Sequence, residues 1–107
     1  MTLEVDLDQY WGVRLRRIEY DCAAMSVAFD LYWTVESLSF SVRLLFDGVS
    51  RLDLVAEKIH KSEVVELVSI EGREEGGGCQ IVGELSNYEF AISCVSVKEI
   101  KNPCAAN

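Results

Sequence analysis

The sequence predicts an all-β domain, a single antiparallel meander that forms a two-sheet sandwich or a flattened barrel. The first observation is an alternation of apolar with smaller or more polar side chains from Met25 to Phe46. Successive side chains of a strand point to opposite faces, so this period of two is typical of strands with one buried face. The second observation is that short polar breaks separate seven or eight such segments. Short connections favour antiparallel pairing, because parallel strands need long crossovers.

Three short segments precede the long alternation. Residues 3–8 alternate apolar with acidic side chains, which predicts a short first strand or an extended arm. Tyr10-Trp11-Gly12 is typical of a turn that carries aromatic side chains. Residues 13–20 alternate again, but the apolar parity shifts after Arg17. This shift predicts a β-bulge, or a strand that crosses a sheet edge.

The long alternation divides into two strands at residues 34–37, a break that is short enough for a hairpin loop. Tyr32 lies on the parity opposite to the apolar stripe, so it is expected to face away from the core. The aromatic residues on the apolar parity, here and in the last strand, are expected in the core. They are Phe29, Trp33, Phe40, Phe46 and Phe90.

Residues 51–60 fit two interpretations. Leu52 and Leu54 continue a strand alternation. Ser50 and Asp53 nevertheless resemble a helix N-cap box, and the apolar spacing from Leu52 to Ile59 also fits a helical stripe. We favour a strand, because the neighbouring segments are strands, and keep one short helix near 51–60 as the alternative.

The second half of the chain predicts three further strands. Residues 63–70 are rich in β-branched side chains. Residues 71–78 are charged and glycine-rich, so an exposed, flexible hairpin loop is expected there. The strand over 79–85 has Gly83 at an expected bulge position. A tight turn at 86–87 leads to the last long strand, 88–97.

Length, composition and charge limit the class of protein. The chain has 107 residues, half of them apolar, which predicts one domain over 1–107 with a core large enough to fold without metals or disulfides. A formal net charge of −8 disfavours binding to nucleic acid, which needs clustered Lys and Arg. The chain lacks an apolar run of about 18 residues, and its acidic start is unlike a secretory signal. A cytoplasmic protein without a membrane segment is therefore expected.

The sequence contains no motif that predicts catalysis, a cofactor or a metal site. His60 is the sole histidine, and no neighbouring motif makes it a zinc ligand or a general base. The triple glycine at 76–78 follows acidic residues and lacks the Lys and the Ser or Thr of a phosphate-binding loop. We therefore expect no enzymatic activity.

The four cysteines are expected to be reduced, structural thiols. They are Cys22, Cys79, Cys94 and Cys104. No C-x-x-C spacing links them, and a cytoplasmic protein keeps its thiols reduced. Cys94 lies in an apolar strand and is expected to be buried, whereas Cys104 follows Pro103 near the chain end and is expected to be exposed.

Two segments carry a family resemblance. Residues 44–54 read LLFDGVSRLDL, and residues 88–97 read YEFAISCVSV. They resemble small bacterial all-β proteins, mostly uncharacterised, some of which are grouped with the immunity proteins of contact-dependent or polymorphic toxin systems. The resemblance spans most of the chain after Ile18 but does not include the glutamate-rich and triple-glycine segment. It implies an all-β fold and an inhibitor of a toxin, and it brings no catalytic residue.

The function expected from these observations is binding to another protein, as an immunity-type inhibitor of a basic toxin domain. Exposed aromatic residues would supply affinity, and acidic residues would attract the basic partner. The candidate contact residues are Tyr10, Trp11, Tyr32, Glu71, Glu74 and Glu75. The alternative is a small-molecule carrier with a cavity lined by Trp33, Phe40 and Phe90. A homodimer through an exposed edge strand is a further expectation.

Overall fold

The computed structural model describes residues 5–56 and 64–101, which form one 3-10 helix and eight strands. The helix comprises Leu7–Tyr10. The strands are β1 (Arg14–Asp21), β2 (Ser26–Val35), β3 (Leu38–Asp47), β4 (Arg51–Ala56), β5 (Val65–Glu75), β6 (Gly78–Leu85), β7 (Tyr88–Cys94) and β8 (Ser96–Lys101). All their pairings are antiparallel, so the predicted all-β class is confirmed.

The eight strands form one sheet in the order β4-β7-β6-β5-β1-β2-β3-β8. Two meanders, β1-β2-β3 and β5-β6-β7, meet at β1 and β5, where the described residues pair Arg14 with Glu66 and Leu15 with Val65. Each meander receives its outer strand from elsewhere in the chain, because β4 pairs with β7 and β8 pairs with β3. This exchange of strands links the two halves of the sheet.

The core lies between the two halves of the sheet. Phe29 of β2 is fully buried, and its ring meets those of Phe46 and Phe90 edge-on, each at a centroid distance of 5.1 Å. The expectation of a core position is confirmed for these three rings. It is wrong for Phe40, which is 39% exposed, because every residue from Thr34 to Phe40 at the tip of the β2–β3 hairpin is exposed. Trp33 is partly buried and stacks on Phe40 at 5.8 Å.

Two hairpins share a turn that requires positive φ at both central residues. In the β2–β3 hairpin these are Glu36 and Ser37, with φ of 50° and 71°, which confirms the predicted hairpin loop. In the β5–β6 hairpin they are Gly76 and Gly77, with φ of 59° and 82°. The expectation of a flexible loop over 71–78 is wrong. β5 continues to Glu75, which pairs with Gly78, because this turn needs only two residues.

The expectation of a strand or an extended arm over 3–8 is also wrong, because the structure has a 3-10 helix from Leu7. The side chain of Asp6 accepts a hydrogen bond from the backbone N–H of Asp8 at 3.2 Å and caps the 3-10 helix. Leu7 and Tyr10, three residues apart on one side of this helix, are both buried. Residues 1–4 lie outside the described ranges.

The strand interpretation of residues 51–56 is confirmed. Arg51–Ala56 pair in register with β7, so the helical alternative is wrong for these six residues. The remainder of the 51–60 segment, including His60, lies outside the described ranges, as does Cys104.

Two register shifts mark β-bulges. One lies between Leu15 and Arg17 and confirms the predicted bulge in β1. The other lies in β5, between Leu67 and Ser69, so the bulge expected at Gly83 is wrong. Gly83 instead pairs in regular register with Phe90, whose ring occupies the space that a side chain at Gly83 would need.

A buried carboxylate joins the three strands of the first meander. Asp30 of β2 is 9% exposed and lies between its cross-strand partners Arg17 and Arg43. Arg43 donates from Nε to Oδ1 at 2.7 Å and from a terminal nitrogen to Oδ2 at 3.1 Å, while Arg17 Nε donates to Oδ2 at 2.8 Å. Burial acts to raise the pKa of Asp30, but the hydrogen bonds and charges of the two arginines outweigh it and hold that pKa below its ordinary value of 3.8.

We expect Asp30→Asn to lower the free energy of unfolding by about 2 kcal/mol at neutral pH, because the substitution removes the carboxylate that binds the Arg17 and Arg43 guanidinium groups. A depressed pKa in the folded state stabilises above the unfolded value and is lost as the pH falls through the folded value. The difference between the two proteins should therefore shrink below pH 3.8. Urea denaturation at neutral and acid pH measures it. Glu75→Gln, which alters an exposed ion pair with Arg73 away from this cluster, is the control. An equal difference at both pH values would contradict this role of Asp30.

Candidate protein-binding groove

An open groove of about 480 Å³ crosses the outer face of the second meander. Alternation along β6 explains its lining: Ile81 and Leu85 are buried in the core, whereas Val82 and Glu84 are exposed on the other face. We call this surface the acidic groove and define it by five of the side chains that line it. They are Trp11, Glu71, Val82, Glu84 and Glu89.

Trp11 is fixed in position although its side chain is exposed. Its indole Nε1–H donates to the backbone carbonyl of Ile70 at 2.7 Å. The following residue, Gly12, donates to the carbonyl of Leu67 at 2.6 Å, and Leu67 donates to the carbonyl of Val13 at 2.8 Å. The indole is nevertheless 47% exposed. An aromatic side chain held in this way loses little conformational entropy when a partner covers it.

The carboxylates of the acidic groove are arranged unfavourably for the isolated protein. Glu84 and Glu89 are direct cross-strand partners, and like charges in this relation destabilise a sheet. Within residues 5–56 and 64–101, neither of them nor Glu71 forms an ion pair. These ranges also contain no group of three side chains that could hold a metal ion. The negative charge is therefore open to an external cation.

A second groove of about 440 Å³ continues from the first, since both are lined by Glu71 and Val82. Asp8 adds a carboxylate at its far end. Arg73 also lines this groove, but it pairs with Glu75 at 3.4 Å. The acidic surface therefore extends from the 3-10 helix across β5 and β6 to β7.

Only two of the six expected contact residues, Trp11 and Glu71, lie in the acidic groove. The expectation for Tyr10 is wrong, because its side chain points into the core and is 2% exposed. Its hydroxyl donates a hydrogen bond to the Glu99 carboxylate, and burial together with that carboxylate raises the pKa of Tyr10 well above its ordinary range.

The other expected residues lie elsewhere. Tyr32 is half-buried, with the Arg16 guanidinium 4.9 Å from its ring centroid, and lines a separate groove beside Arg14. Glu74 and Glu75 are exposed in the last two positions of β5, next to the Gly76–Gly77 turn. None of these three lines the acidic groove.

Sequence reasoning missed Glu84 and Glu89. The signal was present, because a two-residue turn at Ser86–Asn87 pairs the residues that flank it and so pairs Glu84 with Glu89. The same parity places both on the face opposite to Leu85.

No protein-family model matches the chain, and no curated protein matches it either. Within the described ranges, no helix has the length and apolar character needed to cross a bilayer.

Proposed function

We propose that this protein is a non-enzymatic binding module whose acidic groove receives a basic surface of another protein. The observation that carries the proposal is the fixed, exposed indole of Trp11 in one groove with three carboxylates that have no ion pair in the described ranges. Aromatic residues are frequent anchors of protein interfaces. Carboxylates beside them favour a partner that presents Arg or Lys.

The chemistry of a basic side chain suits this groove. A guanidinium group stacks on an indole and donates hydrogen bonds to carboxylates that lie in its plane. One Arg can therefore contact both the Trp11 indole and the glutamates of the groove. An Arg or Lys between Glu84 and Glu89 would also remove their mutual repulsion. The net charge of −8 attracts a basic partner over longer distances and speeds association.

The more specific proposal is an immunity-type inhibitor of a basic toxin domain, acting in the cytoplasm. It rests on this surface and on the resemblance of residues 44–54 and 88–97. A catalytic role has less support, because the described residues that line the groove include no histidine that could activate the Ser69 hydroxyl.

The small-molecule carrier has less support as well. Phe90 packs against Phe29 in the core and over Gly83, whereas Trp33 stacks on Phe40 toward the hairpin tip. Phe90 therefore has different neighbours from Trp33 and Phe40, which does not favour one cavity lined by all three side chains.

The sharpest test is Glu84→Lys. We expect this substitution to weaken binding to a basic partner by about tenfold or more, because it places a positive charge where the partner's cation would lie. The same change replaces a repulsive cross-strand pair with an attractive one, so the free energy of unfolding should stay equal or rise by a few tenths of a kcal/mol. A loss of binding could then not be attributed to unfolding.

Isothermal titration with an arginine-rich peptide as the basic probe measures the affinity, at low and at high salt. Glu36→Lys, in the exposed β2–β3 turn, changes the net charge equally and is the matched control. Trp11→Ala should weaken binding at both salt concentrations. Equal affinities for Glu84→Lys, Glu36→Lys and the unaltered protein would refute the proposal.

A further inference from the structure

Two cysteines far apart in the sequence are direct neighbours across β6 and β7. Cys79 and Cys94 are cross-strand partners, and both are reduced cysteines. Their side chains lie on the core face of the sheet, with exposures of 2% and 5%. Neither contributes to the acidic groove, so the pair is independent of the proposed function.

The register brings these residues to the spacing of a disulfide. Leu85 and Tyr88 flank the two-residue turn and are cross-strand partners. In a two-residue hairpin, the residues that flank the turn form a hydrogen-bonded pair. Hydrogen-bonded pairs recur at every second position of an antiparallel ladder. Cys79 and Cys94 lie six positions from Leu85 and Tyr88 along their strands, so they are also a hydrogen-bonded pair. The Cα atoms of a hydrogen-bonded pair are about 5.5 Å apart, within the range most common for disulfides. Closing the bond therefore needs side-chain rotation rather than movement of the strands.

We propose that Cys79 and Cys94 are a redox site that closes to a cross-strand disulfide by exchange with a low-molecular-weight disulfide such as oxidised glutathione. One cysteine thiolate attacks a sulfur of that disulfide and displaces a first small thiolate. The second cysteine attacks the mixed disulfide and displaces another. The two protein thiols lose two electrons to the oxidant, and their two protons pass to the two small thiols released.

The buried position makes this reaction conditional on local opening. Burial, together with the neighbouring Cys79, raises the pKa of Cys94 to about 12, so Cys94 holds little thiolate in the closed protein. Cys79 is the second residue of β6 and Cys94 the last of β7, so both lie at one end of the hairpin. Strand ends open at lower cost than the whole fold. Oxidation should therefore be slow in the closed protein and faster when this end opens.

The test uses a Cys22→Ser/Cys104→Ser variant, which leaves only this pair, incubated with oxidised glutathione with and without a sub-denaturing urea concentration. Mass spectrometry should show a monomer lighter by two hydrogen atoms, without a glutathione adduct, and dithiothreitol should reverse the change. Urea should accelerate the reaction several-fold. The oxidised form should unfold at a higher urea concentration than the reduced form, because the crosslink restricts the unfolded chain.

Cys79→Ala and Cys94→Ala in the same background are the controls, and neither should lose two hydrogen atoms. If one of them fails to fold, the other serves. A stable glutathione adduct, a covalent dimer, or no reaction even in urea would each overturn the proposal.

Discussion

Replacing Phe29 with alanine is expected to lower the free energy of unfolding by about 3–5 kcal/mol. Phe29 is fully buried and contacts one ring from its own meander and one from the opposite meander. Its removal leaves a cavity where the two halves of the sheet meet, because neither neighbouring ring can fill the space without strain.

Urea denaturation followed by tryptophan fluorescence measures this loss. Phe40→Ala is the matched control, since that ring is 39% exposed at the hairpin tip and its truncation should cost about 1 kcal/mol. Equal losses for the two variants would contradict the position of Phe29 at the centre of the core.

Gly83→Ala is expected to cost about 3 kcal/mol, which is large for the addition of one methyl group. A Cβ atom at Gly83 would overlap the backbone oxygen of Ser69 and would lie 2.6 Å from the Phe90 ring. Neither contact is tolerable, and the first can be relieved only by moving β5, which pairs with β6 at this point.

The same denaturation experiment with Val82→Ala provides the comparison. Val82 is the preceding residue and is 47% exposed on the outer face, so its truncation should change stability by no more than about 0.5 kcal/mol. A Gly83→Ala protein as stable as the unaltered one would show that β5 and β6 adjust freely, contrary to the close approach in the structure.

The strands could be predicted from local patterns because strands such as β3 and β7 bury every second side chain. The alternation from Met25 to Phe46 corresponds to β2 and β3, and the parity shift after Arg17 corresponds to a bulge. The exchange of β4 and β8 between the meanders could not be predicted, since it depends on pairings between distant residues. The turn at Gly76–Gly77 was misjudged because glycine indicates either flexibility or positive φ, and here the backbone uses the second property.

The candidate site was only partly accessible to sequence reasoning. Parity assigns strand residues to a face, but it says nothing about Tyr10, whose direction is set by the 3-10 helix that Asp6 caps. The pairs Glu84 with Glu89 and Cys79 with Cys94 both follow from one turn, at Ser86–Asn87. A carboxylate pair and a thiol pair become apparent only when the hairpin is folded about that turn.

The acidic groove also contains an unfavourable pair of like charges that the fold alone does not require. Glu84 and Glu89 repel each other on an exposed face, where almost any polar pair would fit. The proposed binding surface would account for this arrangement, because a cation between the two carboxylates would replace the repulsion with attraction.

The central claim, that the acidic groove binds a basic surface, is tested most directly by NMR of the isotope-labelled protein titrated with the same arginine-rich peptide. We expect the largest shift changes at the indole N–H of Trp11 and at the backbone amides of Val82, Glu84 and Glu89, whereas Tyr32 and its neighbour Arg14 stay unchanged. Changes centred on Tyr32 and Arg14, with the Trp11 indole unaffected, would contradict the account.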